Sequence, residues 1–188
     1  MSIPGNEIYE AMSQGVVDCT MISAPELLNL QLIDVTKYIT TGVPGGVFAG
    51  SGAANINRDT WMSLSEDQRS FLLEAAARNA ANVSIRYNNA AKEALDASRE
   101  RGIEVIEAPQ ELLDASEAFV EEDVKVVARQ FAETYGLDNV DEKMEIVTGL
   151  VEKWKSKAEG LEQDPEALGE LFWTEVFSKV DAASYGMN

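Results

Sequence analysis

An α/β fold is predicted for this 188-residue chain, on three observations. Helix and strand signals alternate within the opening thirty residues. Short apolar strand patterns recur near 35–40 and 103–106. Between them stands one proline-free helical stretch of unusual length.

The first helix carries Ile8, Ala11 and Met12 on one face, with Asn6 placed to cap it and Gly15 to stop it. Val16 to Ile22 reads as a short buried strand, with Met21 in the core. Ser23, Ala24, Pro25 and Glu26 have capping-box spacing and open a helix through Leu30. A second strand is expected from Val35 to Thr40. Thr41 to Ala54 holds five glycines and Pro44, and its centre at Val47 and Phe48 reads as a strand that glycines let approach closely. A turn at Asn57-Arg58-Asp59 follows.

Ser65 to Gln68 is another capping box, and Gly102 makes the natural stop of the helix it begins. Phe71, Leu72, Ala75, Ala76, Val83, Tyr87, Ala91 and Leu95 mark an apolar seam along that helix. Roughly 37 residues at about 1.5 Å each give about 55 Å, more than one small domain requires. Its alanines and asparagines make a poor zipper, so the helix is expected to brace two lobes. Ile103 to Ile106 reads as a strand closed by Pro109. Three helices are then expected, over about 111–135, about 141–157 and from Asp164-Pro165 onward, each with an apolar stripe read as a packing face.

Composition narrows the function. Lys and Arg total 15 against 33 Asp and Glu, a net charge of −18, which disfavours nucleic acid and an anionic membrane surface as partners. No stretch approaches the roughly 18 apolar residues of a membrane span. Met1 to Gly5 lacks the basic and apolar regions of a signal peptide. The chain is therefore expected either to stay in the cytoplasm or to begin downstream of its gene product's start.

No histidine is present, which removes Ser-His-Asp and Cys-His catalysis and the usual nitrogen ligands of zinc and iron. Cys19 is alone and reads as a small buried hydrophobe. The glycines of 42–52 match no phosphate-binding loop, and no pair among so many carboxylates stands out by spacing. No metal site, no cofactor and no enzyme is predicted; the chain reads as a binder.

Two motifs carry a resemblance. Pro4, Glu7-Ile8-Tyr9, the small Ala11 and Gly15-Val16-Val17-Asp18 follow one another in the order found in the second-lobe segment of DctP-type solute-binding proteins. Asn57-Arg58-Asp59-Thr60-Trp61, with Leu64 to Gln68, resembles that family's lead into its long lobe-spanning helix. The resemblance covers about residues 3 to 110 well and the remainder by helical pattern only. It implies a type II-like periplasmic-binding-protein fold of two lobes, here incomplete. Residues 1–35 would belong to lobe 2, 36–64 to a crossover and part of lobe 1, 65–102 to the lobe-spanning helix, and 103–188 to a strand and C-terminal helices packed on the lobes.

The resemblance further implies an extracytoplasmic receptor in the periplasm that binds an organic acid and delivers it to the membrane subunits of a TRAP transporter. Ligand contacts are implied at the turn of Gly5 and Asn6, at the strand end of Thr20, Met21 and Ser23, and at Val47 and Phe48 in the crossover. The family's carboxylate-clamping arginine sits just before the segment that opens this chain, and none of Arg58, Arg69, Arg78, Arg86, Arg99, Arg101 or Arg129 takes its place. Where many members have Gly-Gln-Glu-Asn-Pro, this chain has Cys19 to Pro25 without the Glu-Asn pair. A truncated receptor would expose strand edges and one helix face, so self-association is expected. The rival reading is a mostly helical interaction module without a small-molecule ligand.

Overall fold

A computed structural model describes residues 3–43 and 54–187. Val47 and Phe48 lie outside the described residues. The chain divides into two compact units. Unit 1 comprises residues 1–49 and 90–152, and unit 2 residues 50–89 and 153–188. Helix dominates both, and the described strands form one two-stranded parallel sheet.

In unit 1, a 3-10 turn at Gly5–Glu7 leads into α1 (Ile8–Ser13), and α2 (Glu26–Asn29) precedes a 3-10 turn at Leu32–Asp34. Strand β1 (Tyr38–Thr41) pairs in parallel with β2 (Glu104–Glu107), with Tyr38 opposite Glu104 and Thr41 opposite Glu107. Helix α4 (Glu66–Glu100) contributes its last turns to this unit. Gly102, at φ 79°, ends it in a left-handed cap: Gly102 N–H reaches Arg99 O and Ile103 N–H reaches Ser98 O, both at 3.0 Å. That reversal sets Ile103 into the core and delivers the chain straight to β2. Leu27, Leu32, Ile33, Ala94 and Ile103 form the buried cluster, with Ile8, Met12, Ile22 and Leu95 packed around it. Helix α5 (Gln110–Tyr135) and the first turns of α6 (Val140–Ala158) complete the unit.

Five local readings are corrected here. Val16 to Ile22 forms no strand, because the N–H groups of Val16 and Val17 both donate to Ala11 O and close off α1 instead. Asn6 sits inside the 3-10 turn rather than at a helix cap, and α2 has Pro25 at its cap position with no side-chain cap bond. Met21, at 83% exposure, and the exposed Cys19 are not core residues.

Unit 2 begins its described part at Ala54. The expected turn at Asn57 is a helix cap: its side chain accepts from Asp59 N and Thr60 N and starts α3 (Arg58–Ser63). The capping box ahead of α4 forms as expected, with Ser65 N donating to Gln68 Oε1 (2.9 Å) and Gln68 N to Ser65 Oγ (3.2 Å). Within α4, Leu73, Ala77, Ala81 and Ile85 recur every fourth position and are all buried. Helix α7 (Pro165–Glu175), capped by Asp164 through Ala167 N (2.9 Å), lies on that row. A Cβ added at Gly169 would stand 3.4 Å from Arg78 Cα and 3.7 Å from Ala81 Cβ. Small residues thus let the two helices approach closely, and Leu168, Ile85 and Phe172 fill the flanks.

The seam expected along α4 differs in part from the buried row: Phe71 is 70% exposed and Val83 and Tyr87 are also exposed, whereas Leu95 packs on the unit 1 core. The apolar stripes of α5 and α6 likewise stay largely exposed, with Ala128 alone buried among the described residues of α5.

Glu175 gathers three cations of unit 2, accepting from Lys157 Nζ at 2.8 Å with Lys179 and Lys153 at 3.9 and 4.0 Å. The Lys157 hydrogen bond holds its carboxyl below the ordinary value of 4.5. The folded chain therefore takes up this proton less readily than the unfolded one. The contribution to stability is present above about pH 4.5 and is lost as pH falls through the lower folded value. Glu175→Gln is accordingly expected to lower the thermal midpoint at neutral pH, with the gap to the native chain closing in acid. A gap of constant size across thermal melts in both conditions would contradict this origin.

Candidate functional site

The site read from the sequence falls mainly in unit 1. After α1 the chain runs without a ladder partner through Asp18 to Ser23, then turns into α2. This segment and β1 flank a cleft of about 150 Å³. Thr20, Ser23, Thr36, Tyr38, Thr40 and Thr41 bring hydroxyls to its lining. Met12, Ile22, Leu27, Leu32, Ile39 and Leu95 supply the apolar part, which is the outer face of the unit 1 core. The mixture of hydroxyls and aliphatic side chains suits a small solute held by directed hydrogen bonds over an apolar floor.

Two of the hydroxyls are oriented by backbone carbonyls. Thr36 Oγ1 donates to Leu32 O at 2.7 Å, and Thr41 Oγ1 to Ile106 O at 3.4 Å, across the β1–β2 pair. A hydroxyl that donates to a carbonyl keeps its lone pairs for a ligand donor. The ion pair of Arg101 with Asp34 pins the 3-10 turn beneath the cleft to the end of α4. Among the described residues that line the cleft, none is cationic or acidic.

Of the residues singled out in the sequence, the structure brings Thr20 and Ser23 together in this cleft. Gly5 and Asn6 lie exposed in the 3-10 turn, and the exposed Met21 is not among the described residues that line the cleft. The threonines and tyrosine of β1 were missed. Their signal was present in the run Thr36-Lys37-Tyr38-Ile39-Thr40-Thr41, a strand pattern with an uncommon density of hydroxyls.

The described carboxylates held below their ordinary range are not among the lining residues of this cleft or of the larger cavity in unit 2. Asp96 is held down by the hydrogen bond from Lys92, Glu162 by backbone N–H groups, and Asp181 by the Ser184 hydroxyl. Among the described residues, no group of three or more His, Cys, Asp or Glu side chains is placed to hold a metal ion, and no helix is long and apolar enough to cross a membrane. Unit 2 has a larger cavity of about 830 Å³, bounded by Trp61, Leu72, Ala76, Phe177 and Tyr185.

Comparison with known proteins agrees with the sequence motifs. A solute-binding protein of Albidiferax ferrireducens is 30% identical over 109 residues, an alignment that covers 52% of this chain and 32% of that protein. The chain thus spans about a third of the length of the relative it matches. No solved structure matches. The model of the family described as bacterial extracellular solute-binding protein, family 7, matches residues 1–134. That match takes in most of the chain, including α1, the cleft, all of α4 and nearly all of α5, and the chain belongs to this family, DctP.

Proposed function

We propose that the chain is part of an extracytoplasmic solute receptor, resident in the periplasm, whose ligand is a small organic acid bound at the unit 1 cleft. The observation that carries this reading is the meeting of Thr20 and Ser23, from the strand-end segment, with the hydroxyl row of β1. In such a receptor the chemistry is recognition and conformational change, with no bond made or broken. The receptor would hand its solute to the membrane subunits of a TRAP-type transporter. The cleft's volume lies below the roughly 300–1,000 Å³ of sites that enclose drug-sized ligands. It therefore suits a solute of a few carbons, or one half of a larger binding site closed by another lobe. Residues 65–102 would serve such a receptor as its lobe-spanning helix.

Calorimetric titration of the chain with short mono- and dicarboxylic acids tests this. One of these acids is expected to bind saturably at one site. Thr20→Val, which removes a hydroxyl and keeps the shape, should weaken it by about tenfold, as for a lost hydrogen bond to a charged group. Absence of saturable binding across the series, or undiminished binding in Thr20→Val, would contradict the proposal. The rival reading of a helical interaction module draws on one observation, the exposure of Phe119, Phe131 and Tyr135 on α5. A second copy of the chain or a transporter subunit would cover that stripe.

A further inference from the structure

We infer that the solute of the unit 1 cleft is a small aliphatic α-amino acid, gripped by main-chain groups on the outer edge of β1, an assignment that rests on that cleft being the receptor's binding site. The β1–β2 ladder is the first ground. Glu104 N–H donates to Lys37 O at 3.4 Å and Ala108 N–H to Thr41 O at 2.9 Å, with Tyr38 opposite Glu104 in the register. Lys37, Ile39 and Thr41 therefore turn their main-chain groups toward β2. Along a strand these groups alternate in direction, so the N–H and C=O of Tyr38 and Thr40 point the other way. Among the described residues no strand pairs with β1 on that side. Adjacent side chains of a strand stand on opposite faces, yet Tyr38, Ile39, Thr40 and Thr41 all line the cleft. The cleft thus runs along the outer edge of β1 and not over one face of the sheet.

The second ground is the fit of that edge to one chemical class. A residue in a parallel ladder places its N–H on one carbonyl of its neighbour and its C=O on the N–H two residues further along. The outer edge of β1 offers the same pair, Tyr38 O and Thr40 N–H. An α-amino acid carries both partners on one carbon: its ammonium donates to Tyr38 O and its carboxylate accepts from Thr40 N–H. Thr36 Oγ1 already donates to Leu32 O at 2.7 Å and has only lone pairs left to offer, so at the lining it meets an ammonium and not a carboxylate. Charge agrees with this. The described lining is neutral on a molecule of net charge −18, which repels a bare carboxylate and spares a zwitterion. Ile22, Leu27, Leu32 and Ile39 give the aliphatic side chain an apolar floor, and about 150 Å³ leaves room for a few carbons.

L-Valine and 3-methylbutanoate, which has the same carbon skeleton and carboxylate without the ammonium, separate these terms. Titrated calorimetrically into the native chain, L-valine is expected to bind saturably at one site and 3-methylbutanoate at least about tenfold more weakly, the loss of a charge-assisted hydrogen bond. Thr36→Val removes an acceptor of the ammonium and keeps the shape, so it should weaken L-valine several-fold and leave 3-methylbutanoate where it was. Thr40→Pro removes an N–H that the ladder with β2 does not use, a place where an edge strand tolerates proline, and should weaken both ligands. Equal or tighter binding of 3-methylbutanoate would overturn the amino-acid assignment. If that binding also weakened in Thr20→Val, the organic-acid receptor would stand without it. No saturable binding of L-valine would likewise overturn the assignment, and the receptor would fall with it only if the wider series of carboxylic acids also failed to bind. Should Thr40→Pro fail to fold, the comparison of the two ligands on the native chain still decides.

Discussion

Trp61→Ala is expected to destabilise unit 2 by about 3–5 kcal/mol, the range for truncating a large aromatic side chain in a core. Three losses combine. The indole is 8% exposed, so its burial is forfeited and a cavity left behind. Its edge-on contact with Tyr185 disappears. The carbonyl of Tyr185, which accepts from Nε1 at 2.7 Å, loses its donor. The same bond ties the C-terminal segment to α3, more than a hundred positions earlier, and Arg69 reinforces the tie by donating from Nε to Ala182 O at 2.7 Å. Trp61→Phe keeps most of the apolar bulk and loses the N–H, and should cost about 1 kcal/mol from the hydrogen bond. Urea denaturation followed by circular dichroism measures both. A Trp61→Ala chain within 1 kcal/mol of the native one, on the ordinary scale for surface changes, would show that the C-terminal segment does not pack as described.

Leu32→Ala should have a comparable effect on unit 1, about 2–5 kcal/mol. Leu32 is 1% exposed at the centre of the buried cluster, held in a 3-10 turn whose entry residue, Gln31, takes the left-handed conformation at φ 57°. That conformation is costly for a residue with a Cβ, and the packing of Leu32 and Ile33 beneath it is what sustains the turn. The turn also carries Asp34 to its ion pair with Arg101 and forms the floor of the unit 1 cleft. Truncation is therefore expected to loosen the candidate site as well as the core. Phe119→Ala makes the control, because Phe119 is 67% exposed and its removal should fall within about 0.5 kcal/mol. Equal losses from the two substitutions, compared in the same urea titrations, would contradict the assignment of the core.

The sequence is most legible where a local signal is sufficient. The capping box at Ser65, the Asp164-Pro165 start and the glycine stop at Gly102 are each written within a few residues, and α4 and α7 begin or end where those signals stand. Strand β1 and strand β2 also lie where apolar alternation placed them, within a few residues. Legibility fails where tertiary contact decides. In α4 the largest apolar side chains suggest one seam, yet the buried row is set by Ala77 and Ala81, whose smallness allows Gly169 of α7 to close in. A hydrophobicity pattern weights Phe71 above Ala81, whereas close helix packing inverts that order. Val16 to Ile22 has strand composition, but its first N–H groups are spent on ending α1. For the site, the family resemblance leads to Thr20 and Ser23, whereas the hydroxyls of β1 join them only through tertiary packing around one cleft.

In the proposed receptor a small organic acid is held in unit 1 between the strand-end segment and β1. Amide hydrogen exchange with and without the tightest-binding acid of the calorimetric series tests it most directly. Slowed exchange is expected at residues 19–23 and 36–41, together with the Leu32–Asp34 turn beneath them, on addition of ligand. Exchange unchanged at those positions while the acid is bound, with protection confined to other parts of the chain, would contradict it.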